Sequence, residues 1–426
     1  MWVRFILISG EMERKYQSGM GKTMVAILLL WVLCIKLQLN VEARTSSALE
    51  TEIEAKLKQL NKPAVKTIKS EDGDIIDCVN IYDQPAFDHP ALKNHTIKMM
   101  PDFLLESQNP STEDASESVI FQTWQKSGSC PKGTIPIRRI LKEDLLRASS
   151  LDRFGQKPPA SLNFSNADSE FIPVNRSSSY LVTLGYNYIG AEADINVWNP
   201  KVTMPNDFTT AQIWLKNNNG EVFESVESGW MVNPKLYHDG ATRFFVYWTR
   251  DSYRSIGCFD LTCPGFVQTG QVALGASIGP ISSIMGPQYE LNVGLFLEPD
   301  SGNWYLKIKN NVPVGYWPAE ILGSLTHSAI LVEWGGQVSS TNIKKHESPH
   351  TGTEMGSGHA ASGRFQNACF MRNVRIKDYS LQLKYPEHAY AMAEEPYCYS
   401  SLNDVHYGKE PVFYFGGPGR NPPYCP

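Results

Sequence analysis

Beyond Tyr180 the sequence predicts an all-β fold, an antiparallel sandwich or jelly roll, and three observations carry that prediction. Short segments dense in Val, Ile, Tyr, Phe, Trp and Thr follow one another: SYLVTLGY, ADINVWN, AQIWLKN, ATRFFVYWT, YELNVGLFL, NWYLKIK and SAILVEW. Each is bounded by Gly, Asn, Asp or Pro, the residues that end strands and make turns. No helical periodicity separates them and no repeat period suggests a propeller, which leaves the sandwich architectures.

Upstream the texture differs. Leu49, Ile53, Leu57 and Leu60 recur at helical spacing amid charge and predict a short amphipathic helix from about Ser46 to Leu60. Two blocks follow, 66–95 and 127–149, separated by a Ser/Asp/Glu-rich loop at 106–118, and Cys78 and Cys130 are placed to tie them into a small mixed unit. The stretch from Phe154 to about Ser178 is polar and rich in Pro, Asn and Ser. It reads as an exposed linker within reach of a processing protease.

Near the N-terminus, Val25 to Ile35 is an uncharged apolar run too short to span a bilayer comfortably but suited to a signal-peptide core. Met20-Gly21-Lys22 supplies a start and a positive n-region, and Val41-Glu42-Ala43 offers small residues for a signal peptidase, so residues 1–19 read as an upstream extension. The expected destination is extracellular. Sequons at Asn94, Asn163 and Asn175 suit the same glycosylating compartment. The segmentation is therefore signal with extension 1–43, N-terminal unit 44–153, linker 154–178 and β domain 179–426.

The chain has 426 residues, 42% of them apolar, and a formal charge of -5 with no basic stripe. That composition supports a large core and argues against a nucleic-acid partner. No later segment is apolar enough to serve as a stable membrane anchor. Cys34 would leave with the signal. Spacing then groups Cys258 with Cys263 and Cys398 with Cys425, leaving Cys369 unpaired, and no group has the spacing of a zinc site.

The common catalytic signatures are missing: no H-E-x-x-H, no G-x-S-x-G, no Walker loop, and GASIG (275–279) lacks Rossmann context. Neither a metal nor a cofactor is expected. His238 and His359 lie in loop-like contexts, but an isolated histidine is more often structural. Trp-Gly punctuation is dense, and Trp230, Tyr247 and Trp317 are the aromatic candidates for lining a substrate groove, with the core as the ordinary alternative.

Several blocks together resemble the neprosin family of largely plant proteins: GAEADINVWNPKV (190–202), ESGWMVNPKLYHD (227–239), TRFFVYWT (242–249), GCFDLTCPGFVQTG (257–270), GNWYLKIKNNVPVGYWP (302–318), EWGGQV (333–338), MGSGH (355–359) and YFGGPGRNPPYC (414–425). SEDGDIIDC, QPAFDHPALKNH and CPKGTIPIRR resemble that family's activation peptide. The resemblance implies a two-sheet antiparallel sandwich whose cleft carries a pair of glutamates. It also implies a secreted zymogen that cleaves peptides after proline in acid. It pairs Cys258 with Cys263 and Cys398 with Cys425. The first glutamate falls on Glu227. The second belongs in a W-G-G-E-V block, which here reads WGGQV, so Gln337 takes its place.

Two close carboxylates can share a proton and divide the roles of acid and base. Glutamine does not titrate, but its amide N–H can donate to a developing oxyanion, leaving Glu227 to act first as base and then as acid. Glu333 lies four strand residues, about 13 Å, from Gln337 and reads as a rim residue. The expected partner is a proline-containing peptide or protein. The alternative is a catalytically silent member that binds Pro-rich peptides or cell-wall material.

Overall fold

The computed structural model describes residues 31, 48–102, 121–159, 175–218, 222–308, 311–343 and 349–426. Most of the proposed signal segment, the 106–118 loop, Cys34 and Asn163 lie outside the described residues. Contacts divide the chain into Met1–Lys56 and Leu57–Pro426. In the first unit residues 48–56 are helical, and the helix runs on to Leu60, as the leucine spacing predicts. Among the described residues no helix is long and apolar enough to cross a membrane.

The second unit is mostly β. Its N-terminal part contains β1 (Ala64–Lys69), β2 (Ile75–Asn80), β3 (Phe121–Gln122) and β4 (Thr134–Arg138). The main part contains β5 (Arg176–Asn196), β6 (Phe208–Asn218), β7 (Phe223–Val232), β8 (Arg243–Thr249), β9 (Val267–Gln268), β10 (Ile278–Gly279), β11 (Glu290–Glu298), β12 (Asn303–Ile308), β13 (Val312–Trp317) and β14 (Ala329–Ser339). It ends with β15 (Cys369–Asp378), β16 (Leu383–Lys384), β17 (Tyr390–Ala393), β18 (Ser400–Asp404) and β19 (Val412–Gly416).

The two-sheet expectation changes in one respect. The pairing links the main strands into a single 14-stranded sheet, with the central path β8-β7-β6-β14-β5-β11-β12-β13-β9. The physical cause is β5, into which two of the predicted segments fuse. Its first half pairs with β14 and β17, and its second half with β11 and β15. Between the halves Leu184 to Asn187 are exposed, and Gly185 has φ +103°, a left-handed conformation that glycine adopts without strain. The strand thus leaves one wing of the curled antiparallel sheet and enters the other. Alternate residues of both wings, among them Ile213, Trp230, Val246, Trp334, Val293, Leu295, Trp304 and Trp317, fill one apolar core.

Burial decides the fate of two aromatic candidates. Trp230 and Trp317 are in this core, not along a groove. Trp230 points to the face opposite Glu227 and donates its indole N–H to the Asn196 carbonyl at 3.0 Å. Trp317 packs edge-on against Phe266, with centroids 4.8 Å apart. All three cysteine pairs are disulfides, Cys78–Cys130, Cys258–Cys263 and Cys398–Cys425, and Cys369 is free and buried.

The N-terminal strands dock onto the β domain. β1-β2-β4 form their own sheet, while β3 adds to β10. Gln84 and Gln268 exchange hydrogen bonds, Gln84 Nε2 to the Gln268 carbonyl at 3.1 Å and Gln268 N to Gln84 Oε1 at 2.7 Å. A buried ion network fixes the contact. Arg243, on β8, donates to Asp74 at 2.6 Å and to Asp239 at 2.5 Å, while Arg138 holds the other oxygen of Asp74 at 3.1 Å. Removing one partner of such a network strands a buried charge. Asp74→Ala is therefore expected to cost the precursor about 3–5 kcal/mol in urea unfolding, whereas Asp83→Ala, at the exposed end of a short 3-10 turn, should cost almost nothing.

Candidate active site

β7, β6 and β14 are neighbours, and strand alternation sends their polar residues to the face away from the core. Glu227 is in register with Trp214 and Tyr247, Trp214 with Glu333, Gln212 with Gly335, and Thr210 with Gln337. Glu227, Tyr247, Trp214, Gln212, Thr210, Glu333 and Gln337 consequently share one surface.

Glu227 is fully buried. Its Oε1 accepts from Ser225 Oγ at 2.6 Å and Tyr253 OH at 2.5 Å, and its Oε2 from Gln212 Nε2 at 2.5 Å. The fourth partner is Lys157, whose Nζ forms an ion pair with Oε2 and is itself completely buried. Burial pushes the Glu227 carboxyl up, but the Lys157 charge and hydrogen bond, with the Ser225 and Tyr253 hydroxyls, hold it below the ordinary glutamate value. Burial pulls Lys157 down to about 8, against the opposing pull of Glu227 and with the help of the Arg176 charge.

Lys157 comes from the segment that the sequence reads as an exposed linker. That reading fails for 154–158, where Phe154 and Lys157 are buried, while Pro159 is exposed. Gly155 accepts from the Phe259 backbone N–H at 2.7 Å, Gln156 Nε2 donates to the Ser255 carbonyl at 2.9 Å, and Lys157 N donates to Tyr247 OH at 3.3 Å. Gly155 has φ +74°, and a Cβ there would lie 1.9 Å from Thr262 Oγ1, so the Cys258–Cys263 loop receives this segment only because the position is glycine. The Lys157 ammonium lies 4.7 Å from the Tyr247 ring and 5.1 Å from the Tyr253 ring, favourable cation–π positions. The other end of the linker also differs from expectation, since β5 begins at Arg176 and residues 176–179 are buried.

Gln337 does not face Glu227 squarely. Its register level is Thr210, four residues along from that of Glu227 and two strands away. The Glu227 side chain, however, bonds Gln212, two residues toward that level. Glu227, Gln212 and Gln337 so form a diagonal row across three strands. Gln337 donates to Ser178 Oγ at 3.2 Å, and its Oε1 has no partner. Other buried polar atoms on this face without partners are Gln212 Oε1, Thr210 Oγ1 and Arg176 Nε and Nη2. Native interiors rarely leave so many polar atoms unmet in one place, so this face stands out as the polar surface of the domain that lacks internal partners. Glu333 sits level with Glu227 across Trp214, but Lys216 claims its carboxylate at 2.5 Å.

Tyr247 is the aromatic candidate that does lie beside Glu227. Asn94 is exposed and Asn175 half-buried. His238 is 3.6 Å from Asp144 in the docking interface, and His359 has no link to this face among its described hydrogen bonds. The residues grouped closely enough for a metal, His350, Cys398 and Cys425, include two sulfurs already joined in a disulfide. Lys157, Arg176, Gln212, Ser225 and Tyr253 escaped the sequence reading. Only the strand alternation of Gln212 with Trp214 hinted at any of them.

A buried carboxylate met by four donors on a curled β-sheet marks this face as the candidate site. The chain belongs to the neprosin family. The family profile described as Neprosin matches residues 205–418, and the one described as Neprosin activation peptide matches residues 67–182. Among solved structures the chain is similar to scytalido-glutamic peptidase with a transition state analog inhibitor, at 10% identity over 57% of this chain and 98% of that one, TM-score 0.32. SCP-B, a member of the Eqolisin family of peptidases in complex with the tripeptide Ala-Ile-His, matches at 8% identity over 57% and 97%, TM-score 0.30. The beta-porphyranase BpGH16B from Bacteroides plebeius matches at 6% identity over 42% and 62%, TM-score 0.21.

The Lys157–Glu227 pair gives a pH prediction. Because the folded Glu227 value is depressed, its contribution to stability is present above the ordinary value near 4.5 and is lost as pH falls through the folded value. The exchange protection of the amides at 154–157, corrected for the intrinsic slowing of exchange in acid, should therefore fall as pH drops below about 4.5. In Lys157→Met the carboxyl is left with burial as its main influence, its pKa moves above the ordinary value, and protection at 154–157 should be lost already at pH 6.

Proposed function

We propose that this chain is the latent precursor of a secreted acid peptidase that cleaves after proline, with Glu227 as general base and then general acid. One observation carries the reading: Glu227 is fully buried on the polar face it shares with Gln212 and Gln337, and is neutralised by a lysine from the activation-peptide side of the chain. Water approaching a bound peptide would give its proton to the Glu227 carboxylate while its oxygen attacks the carbonyl carbon. Collapse of the tetrahedral species returns that proton to the leaving amine. Gln337 and Gln212 supply amide donors along the diagonal, and Gln337 contributes no titrating group.

Latency follows from the same contact. While Lys157 holds Glu227, no water can be activated there, and the segment occupies the cleft. Pro158 and Pro159 follow directly and form part of the wall of a pocket with Phe208 and Asn233, so this segment shapes the surface next to the cleft. The absence of a second carboxyl at 337 favours one other reading, a cleft that binds such peptides without turning them over.

Protein activated by removal of the N-terminal unit and incubated with a proline-containing peptide across pH 3–7 separates the two. Cleavage on the carboxyl side of proline is expected, and Glu227→Gln should lower kcat/KM by about 10²–10⁴-fold with the peptide still bound. Gln337→Glu adds a titrating acid and should raise kcat about tenfold, giving the profile a second limb. Binding with no cleavage at any pH would establish the silent reading. N-terminal sequencing of the secreted protein tests the precursor: a start between about 155 and 180 indicates maturation, and one near 44 indicates removal of the signal alone.

A further inference from the structure

Arg176 opens β5 on the face that carries Glu227, in register with Ser339 and two residues before Ser178, the partner of Gln337. Its side chain is buried, with 2% of the residue exposed. The guanidinium carbon lies 4.3 Å from the centre of the Tyr253 ring, and the hydroxyl of that ring bonds Glu227. Its Nε and Nη2 have no hydrogen-bond partner. Gln337 uses its amide on Ser178, Lys157 is a second cation, and the Tyr253, Tyr247 and Glu227 groups act on the guanidinium through charge without a hydrogen bond to it. Glu394 accepts from the Ser178 backbone N–H at 2.9 Å, and its charge acts on Arg176.

A buried guanidinium with free donors is costly unless a ligand repays it. We infer that Arg176 is a catalytic residue that receives the carbonyl oxygen of the bound peptide, donating from Nε and Nη2 to the oxyanion formed when Glu227-activated water attacks. This deepens the peptidase reading and rests on it. The balance is that of amide hydrolysis. The water oxygen bonds to the carbonyl carbon, and the π electrons move to the carbonyl oxygen, which Arg176 holds without proton transfer. They return as the C–N bond breaks, and the proton kept by Glu227 goes to the amine. A fixed cation thus adds to the amide donors of Gln337 and Gln212, and guanidinium, being always charged, does so at every pH of use.

The test uses activated protein whose mass shows that Arg176 is retained, with two probes: a proline-containing peptide, and its phosphinate analogue, whose tetrahedral anion mimics the attacked carbonyl. Arg176→Gln should weaken phosphinate binding by about 10²-fold, leave the parent peptide within about threefold and lower kcat by about 10²–10³-fold, while Arg176→Lys recovers part of both losses. Equal losses for both probes would assign Arg176 a structural role and overturn the inference. So would unchanged kcat in Arg176→Gln, or a mature chain that starts beyond residue 176. If the wild type binds the phosphinate through Arg176 yet cleaves nothing, the peptidase reading falls and the oxyanion site stands.

Discussion

A carboxylate removed from water must find partners inside the protein, and the burial of Glu227 organises everything around it. Two hydroxyls, one amide and one ammonium meet its oxygens. Each partner comes from a different part of the chain: Ser225 from β7 itself, Gln212 from β6, Tyr253 from the turn after β8, and Lys157 from the segment that follows the N-terminal unit. Charged hydrogen bonds in a low-dielectric site are strong, and leaving any one unmade is expensive. The strand order, the turn after β8 and the seat of the N-terminal segment are therefore linked through a single side chain.

The curled sheet explains why that side chain is buried on a polar face and not in the apolar core. Alternation sends Trp230, Trp248 and Val226 into the core and Glu227 and Tyr247 to the other face. The diagonal lean of Glu227 toward Gln212 aligns it with Gln337 and Ser178 instead of with Glu333, which Lys216 neutralises. Docking of the N-terminal unit through Asp74, Arg138 and Arg243 then holds Lys157 over the carboxylate.

Much of the fold was legible because strand signals are local. Each predicted segment became strand, and SYLVTLGY with ADINVWN became one strand because Gly185 permits the crossing between wings. The cysteine groups paired as their spacing suggested, since short separations leave few choices. Glu227 and Gln337 were reached through motif resemblance, and they do share a face. The linker misled because polar composition says nothing about a partner elsewhere: Lys157 is buried only because Glu227, 70 residues away, neutralises it. Trp230 and Trp317 misled because an aromatic beside glycine has the same local signature in a groove as in a core.

The sequence by itself determined the antiparallel β class, the cysteine pairing, the family and the absence of a titrating group at 337, because these are properties of residue identity and short-range pattern. Only the tertiary structure decided which lysine meets Glu227, that Arg176 is buried with donors to spare, and that Gln337 lies on a diagonal instead of opposite. Those facts depend on strand register and on contacts across the curled sheet, and register between distant strands is set by the packing of the whole core.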